Sequence, residues 1–133
     1  MPAVQLQGFF DRAPWQGTVT IRIGENGKIR QVDGVLPGTC RDKRTGSMAR
    51  SGRDGAIGLQ FVVYPDAPVR ANGSFAFTAK GGGEDIAPHT ITVRGTFYGN
   101  NVIGRVKGRG GTTEYDRYAK CSGDQPFWAK RLE

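Results

Sequence analysis

Polar and apolar residues alternate along much of this chain. Thr18-Val19-Thr20-Ile21-Arg22-Ile23 places an apolar side chain at every second position, and Thr90-Ile91-Thr92-Val93-Arg94-Gly95-Thr96-Phe97 does so over a longer run. A period of two puts each class on one face of an extended backbone, and the β-branched residues that fill these runs favour that backbone. Ser74-Phe75-Ala76-Phe77-Thr78 repeats the pattern with aromatics. Leu59-Gln60-Phe61-Val62-Val63-Tyr64 is apolar on both faces and predicts a central strand. Weaker strands are predicted over residues 4–10, 28–35, 101–107 and 112–118. No window holds a 3.6-residue apolar period that Gly or Pro leaves intact.

The punctuation agrees with short strands. Glu25-Asn26-Gly27-Lys28 predicts a type I′ hairpin turn, because Asn-Gly accepts positive φ at both central positions. Gly99-Asn100-Asn101 predicts a second hairpin, and Gly108-Arg109-Gly110-Gly111 a break between the last two strands. Residues 40–57 show no strand pattern and read as a polar loop. Phe127-Trp128-Ala129-Lys130-Arg131 reads as a tail packed across the sheet near Cys121. Together these features predict one all-β domain over residues 1–133, an antiparallel barrel or sandwich of about eight short strands in an up-and-down meander. The 21 glycines among 133 residues, roughly twice the usual frequency of about 7%, fit a fold rich in tight turns.

The two cysteines, Cys40 and Cys121, lie outside any C-x-x-C pair, which argues against zinc or a thioredoxin-like motif. Two readings stand: one disulfide, or two buried free thiols. Both residues sit beside turn chemistry, in Pro37-Gly38-Thr39-Cys40 and Cys121-Ser122-Gly123. A disulfide would stabilise the fold by about 4 kcal/mol through chain entropy, and would place the protein in an oxidising compartment. The expected location is then extracellular or periplasmic. The opening Met-Pro-Ala-Val-Gln-Leu carries neither the basic start nor the apolar block of a signal peptide. No stretch approaches the roughly 18 apolar residues of a membrane helix.

The order of features is also distinctive. Gly8-Phe9, Asn26-Gly27, Cys40, Gly73-Ser74-Phe75, Gly95-Thr96-Phe97, Cys121-Ser122-Gly123 and Trp128-Ala129-Lys130-Arg131 follow one another across most of the chain. This series resembles small secreted bacterial β domains of unknown function. The resemblance implies a disulfide and export. Its motifs are turn glycines, core aromatics and cysteines, and it implies no catalytic or binding residues.

Candidate chemistry is sparse. His89 is the single histidine, so every histidine-dependent mechanism passes through it. A nucleophilic triad would need Ser47, Ser51 or Ser122 to reach it, with Glu84 or Asp85 orienting its other nitrogen. No serine lies in a G-x-S-x-G elbow, and the plainer expectation is a surface or loop histidine. Glu114 and Asp116 share a strand parity, which puts them side by side rather than across a substrate as glycosidase carboxylates require. Gly81–Gly83 and Gly108–Gly111 lack the Lys-Ser/Thr of a phosphate loop. One His and two cysteines make a poor metal set, and no metal or cofactor is expected.

Charge carries the functional signal. Nineteen Lys and Arg oppose twelve Asp and Glu, a net charge of +7, and arginine supplies 13 of the cations. Its planar guanidinium suits bidentate contact with phosphate, sulfate or carboxylate. Arg41, Lys43, Arg44, Arg50 and Arg53 cluster after Cys40. Arg105, Lys107 and Arg109 share one strand face at period two, with Tyr115 and Tyr118 expected on the next strand as aromatic platforms. The leading expectation is a non-catalytic binding module for a polyanion, a cell-envelope polymer or a small ligand, acting as a monomer or weak homo-oligomer. The alternative is a hydrolytic enzyme of unrecognised type built on His89 with Glu84 or Asp85. A third is a structural subunit that assembles through exposed strand edges.

Overall fold

A computed structural model describes residues 3–10, 17–42, 58–83, 87–111 and 119–132. The period-two runs become strands, and parity decides what each side chain meets. In β1 (Val4–Phe10), Leu6 and Phe10 turn inward while Gln7 and Phe9 face out. In β2 (Thr18–Ile23), Val19 and Ile21 are buried. The remaining strands are β3 (Ile29–Pro37), β4 (Thr39–Asp42), β5 (Gly58–Val63), β6 (Ser74–Gly81), β7 (His89–Tyr98), β8 (Asn101–Gly111) and β9 (Ala119–Arg131). Among the described residues there is no helix, hence none long and apolar enough to cross a membrane.

All ladders are antiparallel and run in the order β5-β3-β2-β1-β9-β8-β7-β6, with β4 pairing to β9 off this path. The eight strands of the path curl into a nearly closed barrel of meander-like order. This settles barrel over sandwich. The first and last strands pair with each other, Gly8 opposite Ala129 and Phe10 opposite Phe127. The interior is filled by inward side chains from every wall, including Phe10, Phe61, Phe75, Ile21, Ile91, Val93 and Val106. Phe10 packs edge-on against Phe61 at 6.5 Å and Phe127 at 6.2 Å between ring centroids, a favoured aromatic geometry.

Four local readings need correction. Residues 119–131 form a 13-residue strand with a neighbour on each side, not a tail lying across the sheet. β8 continues through Gly108, Arg109 and Gly110, where a break was expected. Gly108 packs inward there, and any Cβ would run into Ile91, Leu59 and Leu36. Residues 40–42, read as the start of a polar loop, pair with β9 as part of β4. The doubly apolar segment around Phe61 forms β5 at one end of the strand order rather than at its centre.

The turns are also specific. Gly27 alone takes positive φ at the β2–β3 turn, the Gly27 amide donates to the Gly24 carbonyl, and the register shifts between Arg22 and Ile23. That is a longer, bulged hairpin rather than type I′, which needs positive φ at two positions. The β7–β8 hairpin does use a two-residue loop, with Gly99 at φ 62°.

The disulfide reading holds. Cys40 faces Cys121 in the β4–β9 ladder, their Cα atoms 4.0 Å apart, and the bond between them spans 81 positions. Both residues are buried in the core. Replacing both cysteines by Ala is expected to lower stability by about 2–4 kcal/mol. Guanidinium unfolding would show this as a lower midpoint, with the native far-UV spectrum retained before the transition.

Candidate functional site

Strand parity writes a surface on the outside of β6 to β9. In β8, Val106 is buried and Arg105, Lys107 and Arg109 are exposed, so the three cations share the outer face. The register then fixes their neighbours. Arg94 of β7 lies opposite Arg105, Thr92 opposite Lys107, and Thr90 opposite Arg109. One strand further, Ala76, Thr78 and Lys80 of β6 extend these rows. On the other side, Pro126, Asp124 and Ser122 of β9 complete them. With strands about 4.8 Å apart and alternate residues about 6.8 Å apart along a strand, these side chains form a two-dimensional grid.

The grid is strongly cationic. Lys80, Arg94, Arg105, Lys107, Arg109 and Lys120 all face outward here, and among the described residues Asp124 is the carboxylate on this face. Asp124 accepts a hydrogen bond and ion pair from Arg105, both groups being about half exposed. An exposed pair of this kind contributes little to stability. Around the β2–β3 hairpin, by contrast, Arg22, Lys28 and Arg30 are offset by Glu25 and Asp33. Among the described residues, most of the cationic excess therefore lies on this face.

The face is concave. A groove of about 740 Å³ runs over it, lined by Thr78, Thr90, Thr92, Lys107, Arg109 and Ser122 among others. A second hollow of about 380 Å³ lies beside Arg70, Arg94 and Arg105. The Thr78 and Thr92 hydroxyls are 2.9 Å apart and hydrogen-bonded to each other across the strands. Hydroxyls beside Lys107 and Arg109 offer donors to an anionic ligand without adding charge of their own.

Aromatic side chains border this grid. Trp128 occupies an outward position of β9, next to Phe9 of β1 and Ile103 of β8 in the register. The Phe9 and Trp128 rings lie 5.8 Å apart at 59°, and the residues remain 41% and 47% exposed. Ile103 is 59% exposed and Tyr98 lies further along the same side.

Several predicted site residues meet different fates. Arg105, Lys107 and Arg109 share the outer face as their spacing predicts. Arg41 is exposed on β4 opposite Lys120. Lys43, Arg44, Arg50, Arg53, Tyr115, Tyr118, Glu84 and Asp85 lie outside the described residues. Lys80, Arg94, Lys120, Phe9 and Trp128 were missed. Arg94 stands at a polar position of the clearest alternating run, and that parity was the signal for it. Trp128 shares parity with Lys120, Ser122, Asp124 and Lys130, which would have marked it as outward once the segment was known to be a strand.

His89 is neither a surface nor a loop residue. It is 4% exposed, at the start of β7, where β5 and β6 close the barrel. The Val62 amide of β5 donates to His89 Nε2 at 3.1 Å, and Nδ1 lies 2.8 Å from the Ala87 carbonyl. The neutral form protonated at Nδ1 satisfies both contacts. Nε2 also lies 3.2 Å from the Val62 carbonyl, a contact this tautomer leaves unused. Gly81 makes the approach possible, since a Cβ there would collide with the Val62 carbonyl and the imidazole. Ser122 faces outward on β9, on the opposite side of the barrel wall from the His89 ring. The geometry gives His89 a latching role at the seam.

Set against protein-family models, curated proteins and solved structures, the chain matches none of them.

Replacing His89 by Ala removes the acceptor of a part-buried Val62 amide, and an orphaned group of this kind costs about 1–3 kcal/mol. Urea unfolding is expected to show that loss, with faster hydrogen exchange concentrated at β5.

Proposed function

We propose that this chain is a non-catalytic binding module that takes an acidic polymer on the outer face of β6 to β9. One observation carries the reading: Arg94, Arg105, Lys107 and Arg109 project from paired strands, Lys107 and Arg109 into one hollow and Arg94 and Arg105 into a second, on a face with one carboxylate among its described residues. A sheet face that served only solubility would interleave both signs, since like charges opposite each other are destabilising. A row of phosphates, sulfates or carboxylates relieves that repulsion. The barrel interior supports an external site, because aromatic and branched side chains fill it from every wall.

The Cys40–Cys121 bond fits an extracellular or periplasmic setting. An envelope polymer or another polyanion met there is the ligand class the face suits. No step of this binding needs a cofactor.

Binding of polyphosphate or heparin, followed by calorimetry at rising salt, checks the reading. Affinity is expected to fall linearly on a log–log plot, because each neutralised charge releases counterions. The triple variant Arg94→Ser, Lys107→Ser, Arg109→Ser is expected to bind at least tenfold more weakly at low salt. Its slope should flatten by about one per lost contact. Absence of binding to every polyanion at low ionic strength would sink the proposal.

A further inference from the structure

We infer that the acidic polymer is a single-stranded nucleic acid, whose backbone follows Arg94, Arg105, Lys107 and Arg109 while its bases stack on Trp128 and Phe9. The inference rests on the polyanion reading above and narrows it to one ligand class.

The placement of the aromatics is the first argument. Trp128 and Phe9 occupy outward positions on strands whose inward positions already hold Phe127 and Phe10. They add nothing to the core interior. They leave large ring surfaces in water, 47% and 41% exposed, beside Ile103 at 59%. An apolar cluster on a cationic face calls for a ligand with both charge and flat apolar surface. Nucleotides have both, because every base presents a π face.

The second argument is pitch. Trp128 follows Pro126 by two residues, and Pro126 lies opposite Arg105 in the register. Stacking platform and first cation are thus diagonal neighbours, one two-residue step along the strands and one strand across, roughly 8 Å apart. Lys107 and Arg109 continue β8 at the same step. A single strand carries one charge and one base per nucleotide, so charges and rings repeat together at short intervals. An alternating uronic-acid polysaccharide spaces its carboxylates by a disaccharide and offers no aromatic partner.

The third argument separates single strands from duplexes. A duplex hides its base faces in its own stack, leaving Trp128 and Phe9 nothing to stack on. A single strand presents them freely. Arg94 lies opposite Arg105, whose charge Asp124 already offsets, so a backbone phosphate would supply Arg94 with the counter-charge it lacks among the described residues.

Fluorescence anisotropy with a labelled oligothymidylate of about 12 nucleotides tests the inference. The same assay is run with a duplex of equal length and with a heparin fragment. The expected result is tightest binding to the single strand, weakened about tenfold by Trp128→Leu, which keeps an apolar side chain at that position. Heparin binding should be unchanged by that substitution. Should Trp128→Leu fail to fold, ultraviolet cross-linking of the wild-type complex carries the test. Adducts at Trp128 or Phe9 support the inference, and adducts confined elsewhere overturn it. If heparin and duplex bind as tightly as the single strand and Trp128→Leu changes nothing, the nucleic-acid inference falls while the polyanion reading stands. If no polyanion binds at low salt, both fall together.

Discussion

The structure depends on β9 finding neighbours on both sides. From Lys120 to Lys130 it pairs with β8. Its other edge is divided between β1, which takes Phe127 to Arg131, and β4, which takes Ala119 to Ser122. Without that shared edge the backbone ladders would fall into two meanders, β1-β2-β3-β5 and β6-β7-β8, joined across the seam by the Val62–His89 contact. The Cys40–Cys121 bond lies within the same arrangement, linking β4 to β9 inside the core.

That pairing also sets the character of the outer surface. Because parity holds along the central parts of β7 and β8, filling the interior with Ile and Val assigns the intervening residues to the outside. From Thr90 to Arg94 and from Arg105 to Arg109 the intervening residues are Thr and Arg or Lys. The cationic face needs no specialised loop. It is the reverse of the core, held in register by the same backbone hydrogen bonds. Rigid strands hold such an array more firmly than loops would, which favours a ligand with a regular repeat.

Much of the fold was legible in the sequence. The alternation in Thr18–Ile23 and around Thr90–Phe97 reports parity directly, because each run has one buried face. The segments that escaped lack that signal for physical reasons. β9 carries Gly123, Pro126 and an outward Trp128, so its polar and apolar positions do not separate cleanly. β4 is four residues long, too short for a period to register. In β8 the glycines were read as punctuation, although Gly108 lies where a larger side chain would not fit. The candidate site was legible only in part. The cations of one strand could be read from spacing, but Arg94 and Trp128 join them only through cross-strand register, which no local pattern encodes. His89 was unreadable for the same reason, since its partner Val62 lies on a strand 27 positions earlier.

The pairing of β1 with β9 has a consequence for how the molecule comes into being. Ribosomes deliver the chain from one end, and the wall cannot be completed until residues near position 130 have been made. Until then Phe10 lacks Phe127 as its neighbour and Cys40 has no partner. Contacts of such sequence separation slow folding and prolong the exposure of sticky strands. Closure of the wall therefore rests on the contacts most distant in sequence, between β1 and β9, while the hairpins β2–β3, β6–β7 and β7–β8 need only local pairing.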